Sequence, residues 1–240
     1  MEEEVATPVV NDSVMQWAWL PEPVNEVLSL GGPVVLLLIV LSMIALAVIV
    51  FKAIELFVLS RRRGMRRTQS ALREWQGGQR EQALHELADV PAGIGRIVRV
   101  AMDGRVAEMP ESLVREEVQR VATSHLERMR SHLGVLEAIG TISPLLGLFG
   151  TVLGMIEAFR RMEAAGAQVD PSILSGGIWQ ALLTTGVGLA VAIPTVLAHR
   201  WLDRRVDVQT HLIEDAVTRV FTADIHQVFV ESGRGSIHAA

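Results

Sequence analysis

Long apolar runs separated by charged segments are the main pattern along this chain. Three windows carry no charged residue at all, and they cover residues 27–51, 138–156 and 171–198. A helix needs about 20 apolar residues to cross the roughly 30 Å hydrocarbon core of a bilayer. Each window is near or above that length, so the pattern predicts three membrane-spanning helices. Buried helices of a soluble protein are the alternative, but a chain of this size is too small to wrap three of them.

The segments outside the windows have the spacing of amphipathic helices. Before the second window, glycines and prolines separate three short stretches, for which we expect helices over about 65–76, 79–89 and 92–105. Further on, apolar residues recur every three or four positions without a break, which predicts one long helix over residues 111–160. A similar stripe follows the third window. Both stripes must be buried, against each other or against neighbouring copies of the chain.

The positions of lysine and arginine predict the orientation. A basic run occupies residues 61–67 and more arginines follow the third window, whereas only Arg160 and Arg161 lie between the second and third windows. Because positively charged loops stay in the cytoplasm, we expect the N-terminus outside and the C-terminus inside, with Trp17 and Trp19 at the outer interface. The basic run could also bind anionic lipids, although a topological role is favoured. The acidic start predicts no cleaved signal peptide.

Composition narrows the possible functions. The chain has no cysteine, which excludes disulfides, zinc–cysteine sites and thiol chemistry. Its mean hydropathy of +0.34 argues against disorder, and its formal net charge of −5 disfavours nucleic-acid binding. The sequence contains no phosphate-binding loop, dinucleotide fingerprint, nucleophile elbow or zinc-protease motif. We therefore expect neither an enzyme nor a bound metal or organic cofactor.

Small residues form one face on each of the second and third predicted spans. In the second span they step by four, three and four residues, and in the third they recur at comparable intervals. The two rows are Ser143, Gly147, Gly150 and Gly154, and Ala181, Thr185, Gly188 and Ala192. Since small faces let helices approach closely in lipid, we expect these two antiparallel spans to pack tightly. Helix packing alone accounts for the glycines.

Four polar residues inside the spans are candidates for an ion pathway. Thr151 lies near the middle of the second span, Thr184 and Thr185 lie near the middle of the third, and Gln180 is about one turn further out. A membrane threonine often bonds only its own i−4 carbonyl, which is the simpler interpretation of each threonine. The side-chain amide of Gln180 is less easily explained in this way, because an amide inside the membrane should face protein or water.

The interiors of the second and third spans contain no residue that titrates. A proton relay through a membrane usually needs an ionisable group near its middle. If this chain conducts protons, a partner must supply the carboxylate and the chain supplies the polar wall. In the first span, Lys52 and Glu55 are three residues apart at the cytoplasmic boundary and are predicted to pair.

Three segments resemble the MotA/TolQ/ExbB proton channel family, and its ExbB–TolQ branch most closely. They are Phe51–Phe57 with the arginines that follow, residues 144–154 around Leu-Gly-Leu-Phe-Gly-Thr-Val, and residues 181–194. Pro144 lies in the second segment and Pro194 in the third, and we expect both to contribute to helix packing. Three spans with the N-terminus outside also fit this branch. The resemblance extends over nearly the whole chain.

The resemblance implies an ExbB-like subunit that assembles as a homo-pentamer in a bacterial inner membrane. A dimer of a single-span ExbD- or TolR-like partner would occupy the central pore and carry the aspartate that binds the proton. Thr151 and Thr185 match the family's pore threonines, which face that aspartate. The assembly would use the proton motive force to energise a TonB-like protein for outer-membrane uptake. Membrane lipids are further expected partners.

The predicted fold is an all-α integral membrane protein with three transmembrane helices, of which the second and third extend into the cytoplasm as long helices. The expected divisions are a periplasmic N-terminal segment (1–26), transmembrane helix 1 (27–59), a cytoplasmic helical domain (60–137), transmembrane helix 2 (138–159), a periplasmic loop (160–172), transmembrane helix 3 (173–199) and a cytoplasmic C-terminal helix and tail (200–240).

One position departs from the family's pattern. The ExbB–TolQ branch has glutamate where this chain has Gln180. Glutamine keeps the hydrogen-bonding capacity but loses the charge, so it cannot replace a carboxylate that takes part in proton transfer. A neutral path lined by oxygen atoms also suits sodium, although protons are preferred. The sequence is also compatible with a TolQ-like role in envelope integrity and with a passive membrane scaffold.

Overall fold

The computed structural model describes residues 22–59, 62–88, 93–165 and 171–224. Within these ranges every regular element is a helix, which confirms the predicted all-α class. Several expectations concern residues outside these ranges. They are the interfacial tryptophans Trp17 and Trp19, residues 166–170 of the loop predicted after the second span, and the tail from residue 225 onward.

Seven helices follow one another in the described ranges. They are α1 (Glu22–Leu59), α2 (Arg62–Gln76), α3 (Arg80–Glu86), α4 (Ile94–Val106), α5 (Glu111–Arg130), α6 (Leu133–Ala165) and α7 (Pro171–Phe221). The three short helices expected before the second span are therefore present as α2, α3 and α4, with ends within a few residues of those predicted.

Three helical segments are long and apolar enough to cross a membrane, as predicted from the sequence. They lie within Gly32–Glu55, Glu111–Ala164 and Leu174–Phe221, and only 17%, 28% and 33% of their most apolar windows are buried. A soluble monomer rarely exposes so much apolar surface in one piece. Most of this surface is therefore available to lipid or to another protein chain.

Helix α1 is interrupted near its start by a glycine–proline pair. Gly32 has a φ of 68° and a ψ of −171°, which no helical residue adopts. A positive φ favours glycine, and Pro33 lacks an amide hydrogen and disfavours helical geometry in the residue before it. The regular part of the first span therefore begins only after this pair.

The uninterrupted helix predicted over residues 111–160 is wrong in one respect, because the structure breaks it between α5 and α6. Ser131 has a φ of −52° and a ψ of 141°, and His132 has a φ of 67°. Both geometries end a helix. The apolar spacing does not reveal the break, since Met129 and Leu133 keep a four-residue step across it and both are buried.

The chain divides into two compact units. The first combines Met1–Leu46 with Glu137–Val196, and the second combines Ala47–Leu136 with Leu197–Ala240. The first unit contains the small-residue faces of α6 and α7. The second contains a hydrophobic core to which α2, α3, α4, α5 and the end of α7 contribute.

The end of α7 is the element on which the short helices of the second unit assemble. The indole of Trp75 in α2 donates a hydrogen bond to the carbonyl oxygen of Val220 at 3.1 Å. Just beyond α7, Asp224 pairs with Arg80 at 3.3 Å and with Arg105 at 2.6 Å. In the apolar stripe that follows the third window, Ile213 and Val220 are buried in this core and Val217 packs against it.

Candidate functional site

The small residues of α6 lie against the small residues of α7. Gly147 lies directly against the α7 backbone: a methyl group on its Cα would lie 3.1 Å from the Cα of Thr185 and 3.3 Å from the Cα of Gly188. Such spacing leaves no room for a side chain and brings the two backbones together, as small residues do in membrane interfaces.

The same contact continues along the two helices in both directions. A methyl group on Gly188 would lie 2.7 Å from the carbonyl oxygen of Ser143, and one on Gly154 would lie 3.1 Å from the Cβ of Ala181. Ser143 is completely buried, and its hydroxyl donates to the carbonyl of Ile139 at 2.7 Å. The two predicted faces therefore meet over several turns.

Gly150 lies between α7 and α1. A methyl group there would overlap the side chain of Thr184 and would lie 3.2 Å from Val34 of α1. Thr184 is 2% exposed, and its hydroxyl donates to the carbonyl of Gln180 at 2.8 Å. Thr184 therefore packs against Gly150, and its hydroxyl bonds within its own helix, which is the simpler role expected of a membrane threonine.

Thr185 is the one described threonine of α6 or α7 whose hydroxyl reaches the other helix. Its Oγ1 donates to the carbonyl oxygen of Gly147 at 3.1 Å. The side chain is half-buried, so the hydroxyl oxygen can still accept a hydrogen bond from a third group. This bond places a polar atom where the backbones of the two spans lie close together.

Thr151 and Gln180 lie apart from this bond. The Thr151 hydroxyl donates to the carbonyl of Leu148 at 2.6 Å, and no hydrogen bond among the described residues joins it to Thr184, Thr185 or Gln180. The Nε2 atom of Gln180 is the nearest atom to Gly32, 3.8 Å from where a methyl group on that glycine would lie. Both side chains are half-buried and remain partly open to a neighbouring chain.

The two prolines counted with the packing residues have different surroundings. Pro144 is half-buried within α6, whereas Pro194 in α7 is exposed. By contrast, Ala181 and Ala192 are each 3% exposed. Because Pro194 is exposed, the surface against which it is predicted to pack would have to belong to lipid or to another chain.

A second polar cluster lies at the end of the first candidate span. Lys52 is 1% exposed, and its ammonium group bonds Glu55 at 2.7 Å. It also donates to the carbonyl oxygens of Arg128 and Met129 at 3.2 and 3.4 Å and to Ser131 Oγ at 3.1 Å. Lysine is favourable at a helix C-terminus because it satisfies the last carbonyls and the helix dipole. Lys52 therefore caps α5 where the long helix breaks.

Sequence reasoning missed two parts of this arrangement. The first is a further packing step, in which a methyl group on Gly177 of α7 would overlap Ala158 of α6. Its signal was available, because Ala158 follows Gly154 by four residues and Gly177 precedes Ala181 by four. The second is the cap on α5 by Lys52. Lys52 and Arg128 are 76 residues apart in the sequence, so the local spacing of residues gives no sign of their contact.

Known proteins resemble this chain over the second and third spans. The sequence profile of the MotA/TolQ/ExbB proton channel family matches residues 89–215, somewhat more than half of the 240-residue chain. This range includes both small-residue faces and Thr151, Thr184, Thr185 and Gln180. It does not include the Phe51–Phe57 segment.

Three curated relatives illustrate the range of the similarity. A biopolymer transport protein ExbB homolog of Methanothermobacter thermautotrophicus is 33% identical over 133 residues, which cover 55% of this chain and 46% of that protein. Biopolymer transport protein exbB1 of Vibrio cholerae is 41% identical over 90 residues, covering 36% and 40%. Tol-Pal system protein TolQ of Haemophilus influenzae is 31% identical over 103 residues, covering 42% and 45%. The chain spans less than half the length of each of these relatives.

Proposed function

Because this chain belongs to the MotA/TolQ/ExbB proton channel family, we propose that it is an ExbB-like subunit of an ion-driven motor in the bacterial inner membrane. Its role is to form the wall of a proton pathway. A single-span partner of the ExbD or TolR type supplies the carboxylate, and the proton motive force then energises a TonB-like protein. The proposed assembly is a homo-pentamer around a partner dimer.

The hydrogen bond between Thr185 and Gly147 is the observation that supports this proposal most directly. It holds a hydroxyl where the backbones of two spans approach closely, and the interiors of these two spans contain no ionisable residue. Thr185 Oγ1 uses its proton to donate to Gly147, so its lone pairs remain available to accept a hydrogen bond from a protonated group. A partner carboxyl group can donate to that oxygen when it is protonated.

The same hydroxyl can respond when the partner loses its proton. An ionised carboxylate only accepts hydrogen bonds, so Thr185 would have to rotate away from the Gly147 carbonyl (3.1 Å) and donate to the carboxylate instead. Thr151 carries a second hydroxyl that can make this exchange. Like Thr185 it is half-buried, and unlike Thr185 it bonds only within its own helix. Two such groups would stabilise the charged partner without holding the proton themselves.

Three other functions are candidates, and the first of them rests on Gln180. The neutral Gln180 removes the charge that the ExbB–TolQ branch has there, which favours a path lined by oxygen dipoles and therefore a sodium-driven variant. The TolQ relative makes an envelope-integrity role the second candidate. A passive scaffold is the third, and it predicts no ion flux and no need for a partner carboxylate.

Proton flux tests the proposal. The chain and its single-span partner are reconstituted in vesicles, and flux is compared for Thr151→Val, Thr185→Val and the wild type. Each substitution keeps the side-chain shape and removes the hydroxyl, so we expect flux to fall about tenfold or more. Thr195→Val is the matched control, because Thr195 is buried in α7 and bonds only the Val191 carbonyl at 2.7 Å.

The control decides how the result is interpreted. Wild-type flux in Thr195→Val together with a loss in Thr185→Val supports a pathway at Thr185. If both pathway variants retained wild-type flux and supported normal uptake in cells, the pathway would have to lie elsewhere. A growth test under iron limitation, compared with a test of envelope integrity, separates the ExbB-like role from the TolQ-like one.

A further inference from the structure

A small cavity between α4 and α5, within the second unit, has three arginines in its wall. Its volume is about 130 Å³, and its polar lining consists of Arg96, Arg120, Ser124, His125 and Arg128. A protein cavity of about 150 Å³ is large enough to take up benzene. A group of five heavy atoms such as phosphate therefore fits within this volume.

The positive charge around the cavity is only partly neutralised. Arg120 pairs with Glu117 at 2.6 Å, whereas Arg96 and Arg128 form no ion pair with any residue that the structure describes. Both side chains are exposed and line the same cavity from two helices, so an anion bound there would have guanidinium groups on α4 and on α5 as partners. Their planar donors match the oxygen atoms of phosphate.

The backbone at the start of α4 and the side chain of His125 also favour an anion in this cavity. Gly93 at the start of α4 also lines the cavity, and α4 has neither a side-chain cap nor an acidic residue in its first turn. The free amides at such a helix end attract anions. Burial lowers the pKa of His125, and the nearby charge of Arg128 lowers it further. A neutral imidazole can donate to an anion or accept from one.

We propose that this cavity binds a phosphate group, held by Arg96 and Arg128 with hydrogen bonds from Ser124 and His125. The phosphate can belong to a phospholipid headgroup or to a free phosphate compound. The headgroup is within reach because the carbonyl of Arg128 lies 3.2 Å from the ammonium of Lys52, which is part of the first candidate span. The site does not depend on the proposed ion pathway.

Calorimetric titration of the full chain, purified in a phosphate-free maltoside detergent, tests the inference. One arm uses inorganic phosphate, and the other uses dihexanoyl phosphatidylglycerol below its micelle concentration. We expect saturable binding in at least one arm and about tenfold weaker binding for Arg96→Gln and for Arg128→Gln. Arg115→Gln is the control, since Arg115 is an exposed arginine on α5 that pairs with Glu111, outside the cavity.

Each outcome has a definite meaning. Tighter binding of the phosphatidylglycerol identifies a headgroup site, and tighter binding of inorganic phosphate identifies a site for a free compound. Arg96→Lys keeps the charge but loses the planar fork, so it should bind more weakly than the wild type and more tightly than Arg96→Gln. The proposal is overturned if neither probe binds the wild type, or if Arg115→Gln weakens binding as much as the cavity variants do.

Discussion

Neighbouring glycines in the third span have different reasons to be glycine. A methyl group on Gly188 would lie 2.7 Å from a backbone oxygen of α6, whereas a methyl group on Gly186 would have no neighbour within 4 Å. The backbone oxygen at Ser143 cannot move aside as a flexible side chain can. Only Gly188 is therefore required by the packing of α6 against α7.

Alanine substitution should separate these two glycines. We expect Gly188→Ala to destabilise the chain by about 1–3 kcal/mol, because overpacking forces the two backbones apart. Gly186→Ala should be neutral or slightly stabilising, since alanine favours a helix more than glycine does. The thermal midpoint of the chain in detergent measures both effects. Equal midpoints for the two variants would contradict the close approach at Gly188.

The histidine in the arginine-lined cavity predicts a pH dependence of stability. Burial, with a contribution from Arg128, lowers the pKa of His125 below its ordinary value of 6.5. The unfolded chain then binds more protons than the folded chain between the lowered pKa and 6.5, so stability rises with pH across that window. It is lost progressively as the pH falls below 6.5.

Substitution of His125 measures its share of this dependence. His125→Gln should flatten the slope of the thermal midpoint against pH between the lowered pKa and 6.5. Arg128→Gln should reduce the slope by less, because the charge of Arg128 is the smaller of the two causes. A wild-type slope in His125→Gln would show that the imidazole has the same pKa in the folded and unfolded chains.

At the scale of elements, the break between α5 and α6 depends on a residue from another helix. Lys52 donates to two carbonyls at the end of α5 and to Ser131 in the break itself. The charge of this buried lysine is compensated by Glu55 and by the end of the helix dipole. The break is therefore fixed by a contact between α1 and α5, far apart in sequence.

Removing the ammonium group should loosen the end of α5. We expect Lys52→Met, which keeps a long apolar side chain, to destabilise the chain by about 2 kcal/mol through the lost charged hydrogen bonds. Hydrogen exchange should quicken in the last turn of α5. Glu55→Gln is the matched comparison and should have a smaller effect, because Lys52 keeps its other three partners. Unchanged exchange at Met129 in Lys52→Met would refute the cap.

The elements could be predicted from the sequence wherever one local rule governs them. Crossing a bilayer demands a charge-free window of fixed length, and close packing demands small residues at fixed steps, so the spans and both small faces could be located. The break at Ser131 depends on Lys52, and the choice of Thr185 over Thr184 for the cross-helix bond depends on the register between α6 and α7. Adjacent helical positions point about 100° apart. The spacing of residues alone does not say which of the two positions faces a neighbouring helix.

At the scale of the whole molecule, much of the apolar surface of the spans has no partner within the chain. Leu148, Phe149, Trp179 and Leu182 are each more than half exposed. Lipid can cover such residues, and so can other subunits. A half-buried Gln180, which has no side-chain hydrogen bond to any described residue, instead requires a polar partner or water. The surface of the spans therefore needs apolar neighbours at most positions and a polar neighbour or water at Gln180.

The absence of ionisable residues inside the second and third spans leads to a prediction about the chain on its own. Threonine and glutamine side chains can line a path, but neither takes up a proton near neutral pH. Vesicles that contain this chain alone should therefore be as proton-tight as empty vesicles, and flux should appear only when the proposed single-span partner is added. A partner with Asn in place of its membrane aspartate controls for assembly without the carboxylate and should restore tightness. Proton flux through the chain alone would mean that water within its own spans conducts the proton, and the partner would then have no role as the carrier.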